Sequence, residues 1–121
     1  MKVTFTDREL DLMQVLWERG SATVPEVQEA LEGKPAYTTV STLLRILEEK
    51  GYVGHALEGR FHRYHPLVEP SDARSGALDY VVQKLFRGSP EALLTHFVSD
   101  PRLTKEQIRK ARALLDEKLE D

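Results

Sequence analysis

Thr38, Ser41, Thr42 and Arg45 are spaced by three and four positions, so on a helix they share one face. Tyr37 precedes this set and Thr39 flanks it. The face consists of short hydroxyls and one arginine, without a bulky apolar side chain. That composition suits a helix entering the major groove of DNA. Short side chains let the backbone approach, and hydroxyls reach bases or phosphates. A threonine methyl can touch a thymine methyl, and arginine reads guanine or clamps phosphate. An ordinary solvated helix face carries Glu and Lys pairs instead. The run Thr38-Thr39-Val40-Ser41-Thr42 is poor in helix propensity, which speaks for function over local stability.

A second basic feature lies downstream. Arg60 and Arg63, with His62 between them, fall on or just after the tip of an expected hairpin. Arginine there suits a phosphate backbone or the negative potential of a minor groove. The plain alternative is a basic surface turn. His55 and His62 would face each other if the loop holds two residues. Two imidazoles do not complete a metal site, and His62 and His65 point to opposite faces of a strand, so no metal is expected. No cofactor is expected either. The chain has no cysteine, which excludes disulfides, thiolate metal sites and cysteine nucleophiles. No nucleophile–base pair or glycine-rich phosphate loop is present, and the acids are scattered as helix caps and solvated faces. An enzyme is not expected.

The elements that must position these residues are marked by their ends. Thr6 with Glu9 forms a capping box, and Leu10, Met13, Leu16 and Trp17 follow at helical spacing up to Gly20. Thr23, Pro25 and Glu26 open a second helix, which Gly33-Lys34-Pro35 ends. A third runs from about Thr38 to Lys50 on the stripe Val40, Leu43, Leu44 and Leu47. Tyr52–Leu57 and Arg60–His65 read as two short strands around a Glu58-Gly59 turn. Three helices follow: one from Ser71 to Gly88, one from Ser89-Pro90 to Asp100, and one boxed by Thr104 and Gln107. Trp17, Phe86 and Phe97 read as packing residues.

The fold class is therefore mainly α with a small β-hairpin wing: a winged helix-turn-helix over 1–68, then a three-helix dimerisation domain over 69–121. The later helices are thin and amphipathic. A second copy is the economical way to cover Leu78, Val82, Leu85, Ile108, Leu115 and Leu119.

The net charge of −3 over 121 residues argues mildly against nucleic acid. Between Lys34 and His65, however, Lys34, Arg45, Lys50, Arg60 and Arg63 stand against Glu48, Glu49 and Glu58, a local surplus of two cations. No run of about 18 apolar residues could span a membrane. The opening stretch Met1-Lys2-Val3-Thr4-Phe5 lacks a leader's apolar core, so a cytoplasmic location is expected.

The stretch Ala36-Tyr37-Thr38-Thr39-Val40-Ser41-Thr42-Leu43-Leu44, followed by Leu47 and Lys50-Gly51-Tyr52-Val53, resembles the penicillinase-repressor family, BlaI/MecI/CopY. So do Gly59-Arg60-Phe61-His62-Arg63-Tyr64-His65-Pro66-Leu67-Val68 and the opening helix, Thr6-Asp7-Arg8-Glu9-Leu10 through Val15-Leu16-Trp17. The resemblance covers residues 4–68 and continues through the later helices in layout. It implies a homodimeric repressor whose C-terminal helices form the dimer and whose recognition helices read an inverted-repeat operator with TACA and TGTA half-sites. Tyr37, Thr38, Thr39, Ser41, Thr42 and Arg45 would then face the groove, and Arg60 and Arg63 the backbone. Antibiotic-responsive members are released through a membrane sensor metalloprotease and a cut at an Asn-Phe bond. The corresponding bond here is His96–Phe97, with His in place of Asn. Copper-responsive members use a C-terminal cysteine cluster, which this chain lacks. Two other functions fit the same fold: a protein-interaction module, which would suit the acidic total, and a sensor of a small effector.

Overall fold

The computed structural model describes residues 3–121. Met1 and Lys2, which begin the stretch read above for a leader, lie outside the described residues. Three helices start on a threonine that does double duty. In α1 (Asp7–Arg19), α2 (Val24–Ala30) and α6 (Lys105–Glu120), the hydroxyl of Thr6, Thr23 or Thr104 accepts from the amide three residues on. The side chain of Glu9, Glu26 or Gln107 in turn accepts from the threonine N–H. All three boxes are those expected from sequence.

Contacts divide the chain into one unit ending at Leu78 and a second beginning at Asp79. The division falls inside α4 (Pro70–Leu85), ten residues beyond the expected boundary at 68. The first unit runs α1, β1 (Ala22–Thr23), α2, α3 (Tyr37–Glu49), β2 (Val53–Glu58), β3 (Phe61–Pro66) and the start of α4. The strands form one antiparallel sheet in the order β1-β3-β2. This is a winged helix-turn-helix.

Two details correct the sequence reading. The wing has three strands where two were expected, because Ala22 and Thr23 pair with Tyr64 and Arg63. The hairpin turn is Gly59-Arg60, one residue later than expected, since Glu58 pairs with Phe61. Gly59 has φ +60°, and glycine at the first central position suits a two-residue hairpin loop. The shift sets His55 opposite Tyr64 and His62 opposite Leu57.

One apolar cluster holds the first unit together. Leu12, Met13 and Leu16 from α1 meet Val27 from α2 and Val40, Leu44 and Leu47 from α3. Val53 and Tyr64 close it from the sheet, with Tyr52 just before β2. Leu43 and Trp17 pack on its margin, and Trp17 Nε1 donates to the Val68 carbonyl at 2.8 Å. Each fully buried leucine contributes roughly 1.5–3 kcal/mol through the area removed from water. The backbone of Val3 lies so close to α4 that a Cβ at Gly76 would fall on the Val3 carbonyl.

In the second unit, α5 (Pro90–Val98) starts at the Ser89 cap, whose hydroxyl accepts from the Ala92 amide. Neither α5 nor α6 has a buried residue. Between them lies an apolar cavity of about 400 Å³ lined by Leu94, Phe97, Val98, Leu103, Ile108 and Leu115, among others. Phe97, expected as a packing residue, is half exposed. Leu85, Ile108, Leu115 and Leu119 are exposed, as is Leu78 at the end of the first unit. Val82, expected on that open face, is only 9% exposed within a single chain. It is thus largely covered already within one chain.

Candidate nucleic-acid interface

α3 carries its core on one side and the expected polar residues on the other. Val40, Leu44 and Leu47 are fully buried. Tyr37, Thr38, Thr39, Thr42 and Arg45 are exposed, and Ser41 is half-buried. The residues expected to read a groove are therefore brought to one side of one helix. Arg45 Nη2 donates to the Thr42 hydroxyl at 3.4 Å and has no carboxylate partner among the described residues. The start of this helix differs from the three boxed ones. Ala36 stands at the N-cap, no side chain accepts from the first-turn amides, and the first turn holds no acid. Free amides and the positive end of the helix dipole both favour a phosphate there.

The wing lies beside the end of this helix. His55 Nδ1 donates to the Glu48 carboxylate of α3, with N–O separations of 2.7 and 2.8 Å. The His55 and His62 rings stack at 4.2 Å with an interplanar angle of 9°. The later turn makes them diagonal neighbours, not direct cross-strand partners. Burial pushes the Tyr64 hydroxyl above its ordinary range, helped by Glu48 and opposed by Arg45. Arg45 and the wing thus share one electrostatic neighbourhood.

The two wing arginines differ sharply. Arg60 sits in the exposed turn and makes no ion pair among the described residues. Arg63 Nη2 lies 2.6 Å from a Glu58 oxygen, and its Nη1 lies 3.0 Å from Glu26. The hydrogen bonds that Arg63 donates to Glu58, with the charges of Glu26 and Glu58, raise the Arg63 pKa further. Arg63 therefore serves as a brace between the wing and α2. Two other expected cations are also paired: Lys50 with Glu9 at 2.7 Å and Lys34 with Glu29 at 3.0 Å. Of the five cations counted in the basic stretch, Arg45 and Arg60 keep uncompensated charge.

The sequence reading passed over Arg8. It lines an open concavity with Thr38, Thr39, Thr42 and Leu43. Thirty positions separate it from Thr38, so no helical spacing links them. One signal was visible: a cation in the first turn of a helix stands against the helix dipole.

The protein-family model described as penicillinase repressor matches residues 5–117. The chain is 38% identical over 96 residues to the transcriptional regulator BlaI of Mycobacterium tuberculosis, covering 76% of this chain and 70% of that one. It is 27% identical over 114 residues to the penicillinase repressor of Bacillus licheniformis, covering 93% and 89%. Among solved structures it is similar to the monomeric form of Bacillus licheniformis BlaI in complex with the blaP half-operator. That match has a TM-score of 0.51 and 32% identity, and covers 60% of this chain and 90% of the other. With the uncompensated arginines and the uncapped third helix, these matches lead to one identification: the chain belongs to the penicillinase repressor family.

Proposed function

We propose that this chain is a DNA-binding transcriptional repressor that acts as a homodimer on an inverted-repeat operator with TACA and TGTA half-sites. The exposed Thr38, Thr42 and Arg45 face carries the reading, because Arg45 is a cation with no acid to satisfy it among the described residues. Hydroxyls and Arg45 read base edges, while the first-turn amides of α3 and Arg60 hold phosphates. The half-operator complex of the Bacillus licheniformis relative supports DNA binding by this fold.

The second unit supports the dimer. Apolar side chains on α5 and α6 stand open to water, and a second copy would cover Ile108, Leu115 and Leu119. Two half-sites then bind together, and the modest basic surplus of each chain is doubled. For release, the candidate bond is His96–Phe97, near the C-terminal end of α5, with a sensor metalloprotease system as the partner. His96 is exposed, and its ring lies 5.9 Å from Phe86.

Gel shift with a duplex carrying the TACA and TGTA repeat tests the reading. Arg45→Ala should cost about 1–3 kcal/mol and relax specificity at one position. Failure of the unaltered chain to bind any duplex at low salt would overturn it.

A further inference from the structure

Arg8 projects from the first turn of α1 to the rim of the concavity formed by Thr38, Thr39, Thr42 and Leu43 of α3. Its one carboxylate partner among the described residues is Asp11, at 3.4 Å, with the two side chains 42% and 54% exposed. A loose pair so open to water is easily exchanged for a stronger anion. By contrast, Arg63 and Lys50 are held at 2.6 and 2.7 Å. Helix stability does not account for Arg8 either, since a cation at this end opposes the dipole that Asp7 and Glu9 complement. Three threonines and Leu43 line the concavity with a mostly apolar surface, and Arg8 adds a forked cation at its edge.

We propose that Arg8 is a DNA-backbone contact, its guanidinium taking a phosphate of the strand that borders the groove entered by α3. This rests on the reading of α3 as the groove-reading helix. Arg8 and Arg45 then divide the labour. Arg45 contacts base edges, whereas Arg8 fixes how α3 is seated and carries no sequence preference. The concavity between them receives the sugar-phosphate chain. The interface therefore extends from the wing, across α3, to the start of α1.

The test uses the full chain, Arg8→Ala and Arg8→Lys. Fluorescence anisotropy would follow binding to a duplex with the TACA and TGTA repeat and to a scrambled duplex, across a range of salt concentrations. Arg8→Ala should weaken both duplexes severalfold and by the same factor. It should also lower the slope of log affinity against log salt by about 1 per bound copy. Its melting temperature should match that of the unaltered chain. Arg8→Lys should keep the slope, because a point charge still neutralises a phosphate. An unchanged slope in Arg8→Ala, a loss confined to the repeat duplex, or no rescue by lysine would each overturn the assignment. If the unaltered chain binds neither duplex at low salt, the reading of α3 itself falls. If it binds with a normal salt slope that Arg8→Ala retains, only the Arg8 contact falls.

Discussion

Lys50 Nζ lies 2.7 Å from a Glu9 oxygen, tying the residue after α3 to the third residue of α1. Glu9 is only 2% exposed, and its other oxygen accepts from the Thr6 amide at 2.8 Å. One carboxylate thus caps α1 and anchors the end of α3.

That link predicts acid sensitivity. Burial works to raise the Glu9 pKa, but the Lys50 hydrogen bond and the Thr6 amide outweigh it, so the net shift is downward. A group with a depressed folded-state pKa contributes its stability above the unfolded pKa and loses it as pH falls through the folded one. Denaturant midpoints should therefore drop as pH falls below the ordinary carboxylate range. Lys50→Met should lower stability at neutral pH by about 1–3 kcal/mol, by leaving a buried acceptor unpaired. It should also reduce the acid dependence. Equal pH profiles for both proteins would dismiss the link.

The two wing arginines should separate in their salt response. Arg60→Ala should reduce the salt slope of DNA binding by about 1 per copy, because a free charge is lost. Arg63→Gln should leave the slope unchanged, since Glu26 and Glu58 already neutralise that charge. Its effect should appear as faster amide exchange along β3. If Arg63→Gln cuts the slope as Arg60→Ala does, Arg63 touches DNA directly.

The open apolar face of the second unit predicts self-association. Leu115 is 50% exposed and Leu119 is 84% exposed. Leu115→Asp would put a charge on the exposed apolar face of α6 proposed to meet a second copy. Sedimentation should show a dimer for the unaltered chain at micromolar concentration and a monomer for Leu115→Asp, which should still bind a single half-site. A monomeric unaltered chain would remove the dimer from the mechanism.

Gly76→Ala should destabilise the first unit by about 1–3 kcal/mol, through overpacking against the Val3 carbonyl. Thermal melting measures this directly. A melting temperature equal to that of the parent would mean that Val3 moves aside freely.

What could be read from the sequence was local. Thr6 with Glu9, Thr23 with Glu26, and Thr104 with Gln107 announce helix starts at fixed spacing, and all three form. The α3 stripe of Val40, Leu44 and Leu47 has the helical period and is buried. The elusive features join distant residues. β1 has two residues, too few to show alternation, and exists only because β3 pairs with it. The hairpin turn slipped by one because either Glu58-Gly59 or Gly59-Arg60 puts the glycine in a central turn position. The later turn sets Arg63 opposite Ala56 and leaves Arg60 in the turn itself. Arg63 looked free because nothing in the spacing discloses Glu26 as its neighbour. No spacing links Arg8 to Thr38 either, and its place against the dipole of α1 is the one local sign.

Thr23 ends β1, pairs with Arg63 of the wing and caps α2 through its hydroxyl. β3 is the central strand, so the wing is gripped on the side away from β2. The hairpin therefore behaves as a cantilever clamped at its root. If the tip meets a duplex as proposed, bending it would load the first turn of α2, and the fit of Arg60 would depend on the stiffness of a two-residue joint.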